Sequence, residues 1–293
     1  MINLDFNSPE EEIHHPLFIE KKVRVFLKRD DLIDPFISGN KWRKLKYVLL
    51  RAQAERKKHL ITFGGVWSNH LLATACAAAK FGFKSTGIVR GEAISTETLT
   101  FCRIFGMNLI YVDRESYRDK QALFLKHFKD DDTAFFINEG GYGPDAAKGC
   151  SELVDELKQP YNHIVCACGT GATAAGIING INKKMADALF HAIPVLKGDF
   201  LKADITSLLH DPVEFEFHDQ YHFGGYAKTQ PQLINFIKHF ASHTGTLLDP
   251  VYTGKMMFAL LDLIQKDHFE SGSKILAVHT GGLFGLLGMN DKF

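Results

Sequence analysis

The stretch HLITFGGVWSNHLLATACAAAKFG, His59 to Gly82, decides the reading of the fold. Its opening, HLITF, is a short apolar run of the kind that a strand covered on both faces requires. A glycine pair follows, and Ser68 and Asn69 then suit the start of a helix. From Asn69 the residues are mostly alanine and leucine, and Gly82 supplies the stop. The unit reads strand, turn, helix. Outward from it the pattern repeats. KSTGIV and NLIYV are strands, and STETLTFCRIFG between them is a helix ended by Gly106. KQALFLKHFK is a helix, AFFIN a strand, and a helix runs through CSELVDELK. HIVCAC, HAIPVL, EFEFH and KILAVH read as further strands. ATAAGIINGI, PQLINFIKHFA and GKMMFALLDLIQ read as helices. This alternation predicts an α/β fold with mainly parallel sheets. No low-complexity linker or repeat divides the chain. The loop near 139–148 is the best crossover between domains, and 185–229 carries the weakest pattern.

The bulk numbers exclude some classes. The 293 residues include 34 Lys plus Arg and 34 Asp plus Glu, so the formal charge is zero. That gives no electrostatic case for nucleic acid or an anionic membrane. The opening MINLDFNSPEEEIHH is polar and acidic, unlike a secretory signal. No apolar run reaches membrane-spanning length. The five cysteines are odd in number and sit mostly in apolar segments. They read as buried free thiols of a reducing compartment, so a cytoplasmic protein is expected. Cys166 and Cys168 share one face of a strand. No further ligands stand at a suitable spacing, so no metal site is expected.

Three glycine turns and one lysine carry the chemistry. In SGNKWRKLKY, Ser38 to Tyr47, a helix begins whose stripe is Leu45, Val48, Leu49 and Ala52. Lys44, Lys46 and Arg51 read as its solvated face. Lys41 differs, because it precedes the stripe beside Gly39 and Asn40. A lysine fixed by a turn and partly desolvated has a lowered pKa and can act as a nucleophilic amine. A basic helix start on the surface is the plain alternative. CGTGATAAG, Cys168 to Gly176, follows a strand and opens a helix. Gly169 and Gly171 admit close approach, Thr170 and Thr173 offer hydroxyls, and the helix start offers free N–H groups. It reads as a phosphate cradle or as tight packing alone. It lacks a Walker ending and the dinucleotide spacing. Ser68 and Asn69 are either an N-cap or an anion site suited to a substrate carboxylate. HTGG ends the last strand with Thr280. Ligands of open α/β sheets sit outside the carboxyl ends of strands, so these turns suggest one site. A lysine amine with a phosphate cradle suits pyridoxal 5'-phosphate.

The motifs KRDDL…SGNKWRKLKY, GG-x-x-SNH, GTGATAAG, LLDPVYTGKMM and VHTGG occur in order along nearly the whole chain. Together they resemble those of the 1-aminocyclopropane-1-carboxylate deaminase and D-cysteine desulfhydrase family. That family is tryptophan-synthase-β-like, which implies two open twisted, mainly parallel sheets flanked by helices. The resemblance implies a large cofactor-binding domain, 1–43 plus 148–293, and a small substrate-side domain, 44–147. It makes Lys41 the Schiff-base lysine and sets Asn69 against the cofactor's 3′-oxygen. Thr170, Gly171, Ala172 and Thr173 would hold the phosphate, and Thr280 would face the pyridine nitrogen. Ser68 would carry a proton near the substrate carboxylate, and Tyr226 and Tyr252 resemble two active-site tyrosines. Asn40, Trp67, His70 and Thr253 join Ser68 and Asn69 on the substrate side. A small amino-acid substrate and a homodimer are implied as well.

Departures bear on substrate. Ser38 replaces a glycine, Trp67 stands where the family prefers a polar residue, and 185–225 is shortened. Where the cyclopropane deaminases carry Glu and Leu, this chain has Thr253 and Thr280. A neutral threonine stabilises a protonated ring nitrogen less than a carboxylate does. The reading is therefore D-cysteine desulfhydrase-like β-elimination, giving a 2-oxo acid and ammonia. Cyclopropane deaminase chemistry is the alternative. A non-catalytic binder of the cofactor or of an amino acid is the third, since Trp67 could fill the pocket.

Overall fold

The apolar runs pair as two separate sheets in a computed structural model that describes residues 2–185, 187–198 and 200–293. The first half of the chain forms β1 (Glu10–Ile13), α1 (Pro16–Glu20), β2 (Arg24–Lys28), α2 (Asn40–Ala54), β3 (His59–Gly64), α3 (Asn69–Phe81), β4 (Lys84–Arg90), α4 (Glu97–Ile104), β5 (Asn108–Val112), α5 (Lys120–Phe128) and β6 (Ala134–Phe136). The second half adds α6 (Pro144–Asp155), β7 (His163–Cys168), α7 (Ala172–Lys184), β8 (Leu189–Pro194), α8 (Phe200–Thr206), β9 (Glu216–Phe217), α9 (Pro231–Thr244), α10 (Thr253–Gln265) and β10 (Lys274–Val278).

One sheet has four strands in the order β5-β4-β3-β6, all parallel. The other has six, in the order β1-β2-β10-β7-β8-β9. It is parallel except where β1 pairs with β2. The central strands are buried on both faces, as their continuous apolar runs require. Gly82 ends α3 in the left-handed conformation, φ 77°. The mainly parallel α/β fold with helices over both sheets is therefore the observed one.

The differences lie at the edges. β1 and β2 are absent from the sequence reading because EEEI and RVFLK look too charged for strands. β1 is an edge strand and buries Ile13 alone, while Lys28 is buried through ionic partners. HAIPVL begins two residues earlier, at Leu189, and ends at Pro194. EFEFH shrinks to Glu216–Phe217 at the opposite edge. The five cysteines are buried and free, as expected. Among the described residues, no helix is long and apolar enough to cross a membrane.

Glycines bring α2, α6 and α7 to near backbone contact. A Cβ on Gly149 would lie 1.9 Å from Arg43 O, and one on Gly176 would lie 2.3 Å from Ala147 O. The stack is locked by ions. Arg43 donates to both carboxylate oxygens of Asp30, at 2.6 and 2.8 Å, and to both of Glu156, at 2.7 and 2.8 Å. Lys28 adds an ion pair to Glu156 at 3.1 Å. Breaking such a buried pair leaves an uncompensated charge and costs about 3–5 kcal/mol. These contacts fix the start of α2 relative to the start of α7.

Candidate functional site

The turn before α2 seats on the turn after β10. Gly39 has φ +63°, and a Cβ there would lie 1.8 Å from Thr280 O. Glycine is required on both counts. Gly39 N donates to Asp30 O at 3.0 Å, and Asn40 N points to Thr280 O at 3.4 Å. On its other side, Asn40 Nδ2 donates to Thr173 Oγ1 at 2.8 Å. One asparagine thus joins the lysine turn to the glycine loop after β7. Thr280 is itself buried.

Two lysines face this junction. Lys41 keeps part of its surface open but is enclosed by protein. Burial, and then the charge of Lys44, hold its amine well below the usual lysine pKa. Lys44 is buried, which corrects its reading as part of a solvated face. Its Nζ donates to Gly140 O and to Thr170 Oγ1, each at 3.0 Å. Burial lowers its pKa as well. No carboxylate shapes the field at either lysine among the described residues. Lys46 and Arg51 do lie outward and pair with Glu152 and Asp145. A signal for Lys44 was available: it stands three residues after Lys41, on the same helix face.

The glycine loop is open toward the lysines. α7 begins at Ala172 behind Gly171, φ +81°, with no side-chain cap. Its first N–H groups are left to an outside acceptor. The oxygens of Thr170 and Thr173 both accept from protein donors, which leaves the Thr170 hydroxyl its hydrogen to donate, while Thr173 also bonds the Cys150 side chain.

The third turn, between β3 and α3, comes from the four-stranded sheet. Ser68 caps α3 by accepting from Leu71 N at 3.2 Å, and its hydrogen stays free. Asn69 Nδ2 reaches Gly282 O at 3.5 Å, a link from this turn to the β10 turn. His70 is buried. Thr62 Oγ1 lies 2.8 Å from His70 Nε2 and donates to Ile137 O at 3.2 Å. That network assigns the proton to Nε2 and leaves Nδ1 a buried acceptor without a partner. Burial and the charges of Lys41 and Lys44 hold His70 well below its usual pKa.

Other expected residues take different places. Tyr252 packs on the glycine loop, since a Cβ on Gly169 would lie 2.9 Å from its ring. Tyr226 meets it edge-on at 6.2 Å between centroids, yet remains 47% exposed, at the rim. Lys255, missed in the sequence, anchors the Tyr226 loop by donating to His222 O and Gly225 O, both at 2.8 Å. Burial pushes its amine down to about 8. Thr253 is fully buried. Its hydroxyl donates to Asp249 Oδ1 and accepts from Asp249 N, both at 2.8 Å. Thr253 therefore holds the start of α10 and has no hydrogen to offer a substrate. Trp67 lies over Gly288 of the C-terminal stretch, where a Cβ would fall 2.7 Å from its ring.

A family model described as pyridoxal-phosphate dependent enzyme matches residues 13–281. The chain belongs to that family. Pyridoxal phosphate is therefore its cofactor. A putative 1-aminocyclopropane-1-carboxylate deaminase of Pyrococcus horikoshii is 32% identical over 92% of this chain and 87% of its own. A bifunctional D-cysteine desulfhydrase/1-aminocyclopropane-1-carboxylate deaminase of Arabidopsis thaliana, mitochondrial, is 32% identical over 92% of this chain and 75% of its own. A D-cysteine desulfhydrase of Salmonella choleraesuis is 29% identical over 88% and 86%. Among solved structures, an ACC deaminase homologue superposes with a TM-score of 0.89 at 29% identity, covering 99% of this chain and 93% of its own. The geometry fits this family's cofactor. Lys41 and the buried Lys44, with no acidic partner among the described residues, a free hydroxyl hydrogen on Thr170 and an uncapped helix start all ask for an anion.

Proposed function

We propose that the protein is a lyase that converts D-cysteine and water to pyruvate, hydrogen sulfide and ammonia, with Lys41 as the residue that carries the cofactor. The observation that carries the substrate reading is the neutral threonine, Thr280, at the turn seated on Gly39. No carboxylate stands at Thr253 or Thr280, and the nearby Asp249 is spent on Val251 N, Tyr252 N, Thr253 N and the Thr253 hydroxyl. A weakly supported ring nitrogen suits a substrate whose leaving group departs readily, and thiolate is one.

When bound, the cofactor supplies a sink for the charge that develops on the substrate's α-carbon. The chain supplies the rest. Thr170, Gly171, Ala172 and Thr173 hold the phosphate with hydroxyls and backbone N–H groups, and Lys44 adds a fixed positive charge. Asn69 would hold the ring's oxygen and Thr280 would meet its nitrogen. Lys41 Nζ, its pKa held down by burial and then by Lys44, would take the α-proton. Ser68 Oγ, with its hydrogen free, would receive the substrate carboxylate, together with the amides of Asn40 and Asn69, while His70 backs this turn through Thr62. Tyr252, backed by Tyr226, lines the opposite wall, and Trp67 limits bulk at the entrance. The division into 1–43 plus 148–293 and 44–147 follows the two sheets. A cytoplasmic homodimer, in keeping with five free thiols, completes the reading.

The test is a substrate panel on the cofactor-loaded protein. D- and L-cysteine, β-chloroalanine and the cyclopropane acid are supplied, and sulfide, pyruvate and 2-oxobutyrate are measured. Sulfide and pyruvate from D-cysteine are expected, with little 2-oxobutyrate. Borohydride should fix the cofactor to a peptide containing Lys41. Efficient ring opening without D-cysteine activity would overturn the substrate reading in favour of a cyclopropane deaminase, the activity printed in the names of several relatives.

A further inference from the structure

At the other end of the six-stranded sheet, four ligating side chains converge. His191 lies on β8, Glu216 on β9, His218 just beyond it, and His268 between α10 and β10. β8 and β9 pair with His191 opposite Glu216. Glu216 and His218 stand two apart, so they face the same way from the edge. Glu216 Oε2 lies 2.8 Å from His268 Nε2, 3.2 Å from His218 Nε2 and 3.5 Å from His191 Nδ1. His191 Nδ1 lies 3.1 Å from His218 Nε2. All four ligand atoms fall within 4.8 Å of one another.

Four ligating atoms crowd one centre, and a cation placed there would take a lone pair from each. Bonds of about 2.0–2.1 Å in a tetrahedral shell set neighbouring ligand atoms about 3.3 Å apart. Four of the six separations, 2.8, 3.1, 3.2 and 3.5 Å, bracket that spacing, and the other two fall within 4.8 Å. An outer partner is in place too: His163 Nδ1 lies 3.0 Å from His191 Nε2. By taking the Nε2 hydrogen, it leaves the Nδ1 lone pair of His191 pointing inward.

We propose that His191, Glu216, His218 and His268 bind one divalent transition-metal ion, with zinc as the natural occupant of this closed, nitrogen-rich set of four. The role is structural. The cluster sits at the amino ends of the strands: His163 opens β7, and His268 precedes β10. The lysines and glycine turns sit at the carboxyl ends. β9 has two residues and lies at an edge, so its own ladder holds it weakly. The ion would clip β9 to β8 and to the connection leading into β10. This revises the expectation of no metal site, which rested on spacing: positions 191, 216, 218 and 268 are far apart in the chain.

The test uses the full chain loaded with pyridoxal phosphate, freed of metal by a chelator and then given zinc chloride. Bound zinc is measured by elemental analysis after gel filtration, and Tm is read with and without the ion. About one zinc per chain is expected, with a rise in Tm of several degrees. His268→Ala removes the most exposed ligand and should preserve the fold; it should weaken zinc binding at least tenfold. His218→Ala with His268→Ala should retain none. Cobalt in place of zinc should give the strong visible absorption of tetrahedral coordination. An unmodified protein that retains less than a tenth of an equivalent would overturn the proposal. So would equal zinc affinity in the unmodified protein and both variants, or a weak octahedral cobalt spectrum.

Discussion

Lys44→Met separates a phosphate-binding lysine from a structural peg. Methionine keeps the length and the packing of the aliphatic stem and removes the ammonium. In the protein without cofactor, that ammonium is buried and its recorded partners, Gly140 O and Thr170 Oγ1, are both neutral. Burying a charge without a counter-charge is unfavourable, so its removal should leave the stability of the apoprotein unchanged or raised. The cofactor should respond in the opposite sense. A hydrogen bond to a charged group contributes about 1.5–3 kcal/mol. Losing one such bond to phosphate weakens binding roughly ten- to 150-fold. Titration of the apoprotein with pyridoxal phosphate measures the affinity, and urea unfolding measures the stability. A second readout follows from Lys41. Burial is the larger cause of its lowered pKa and Lys44 the next, so removing Lys44 should move the midpoint for Lys41 labelling to higher pH. Cofactor affinity within about twofold of the unmodified protein, with a clear loss of apoprotein stability, would refute the reasoning: each hydrogen bond would then matter only for folding.

Gly171→Val should abolish cofactor binding, because φ is +81° and a Cβ would lie 3.1 Å from Ile205 N. Thr173→Val should weaken it more modestly, by one charge-assisted hydrogen bond, and equal small losses in titration would make the loop merely structural. Gly39→Ala should destabilise the protein and loosen the Lys41 turn, since the added carbon would fall 1.8 Å from Thr280 O; unchanged Tm and cofactor loading would contradict that contact. His70 has a folded pKa well below 6.5, so the unfolded chain holds the proton more tightly and stability is lost as the pH falls below 6.5. The slope from this one group is at most about 1.4 kcal/mol per pH unit, and His70→Gln should remove it from unfolding curves measured between about pH 5 and 7.

What the sequence disclosed follows physical lines. Strands β3, β4 and β7 were legible because both their faces are buried, which leaves an uninterrupted apolar run. Helices α3 and α4 were legible because glycine marks where they stop. The lysine turn, the glycine loop and the Ser68 turn were legible because close backbone approach demands particular residues at particular positions. β1 and β2 were hidden because their burial depends on charges that pair across the fold, as Lys28 does with Glu156. Lys44 was masked by its type, since a lysine on a basic helix looks solvated, although its place three residues after Lys41 on one helix face was the signal to read. Thr253 looked like a substrate contact because its motif lies beside Tyr252, but its hydroxyl turns back to Asp249. The histidine cluster was invisible for the opposite reason, since residues far apart in the chain meet only through strand pairing and a loop.

The lysine turn and the glycine loop are mounted on one ion-locked stack of α2, α6 and α7, whereas the Ser68 turn rides on the other sheet and meets them through the apolar packing of α3 on α2 and through Asn69 and Gly282. For anyone reshaping this enzyme, the site divides into a chassis and an exchangeable jaw. Randomising Val66, Trp67 and the surface around them should sample new substrates while cofactor loading stays intact. Changes at Gly149, Gly176 or Arg43 should do the reverse, emptying the protein of cofactor before substrate preference can be observed at all.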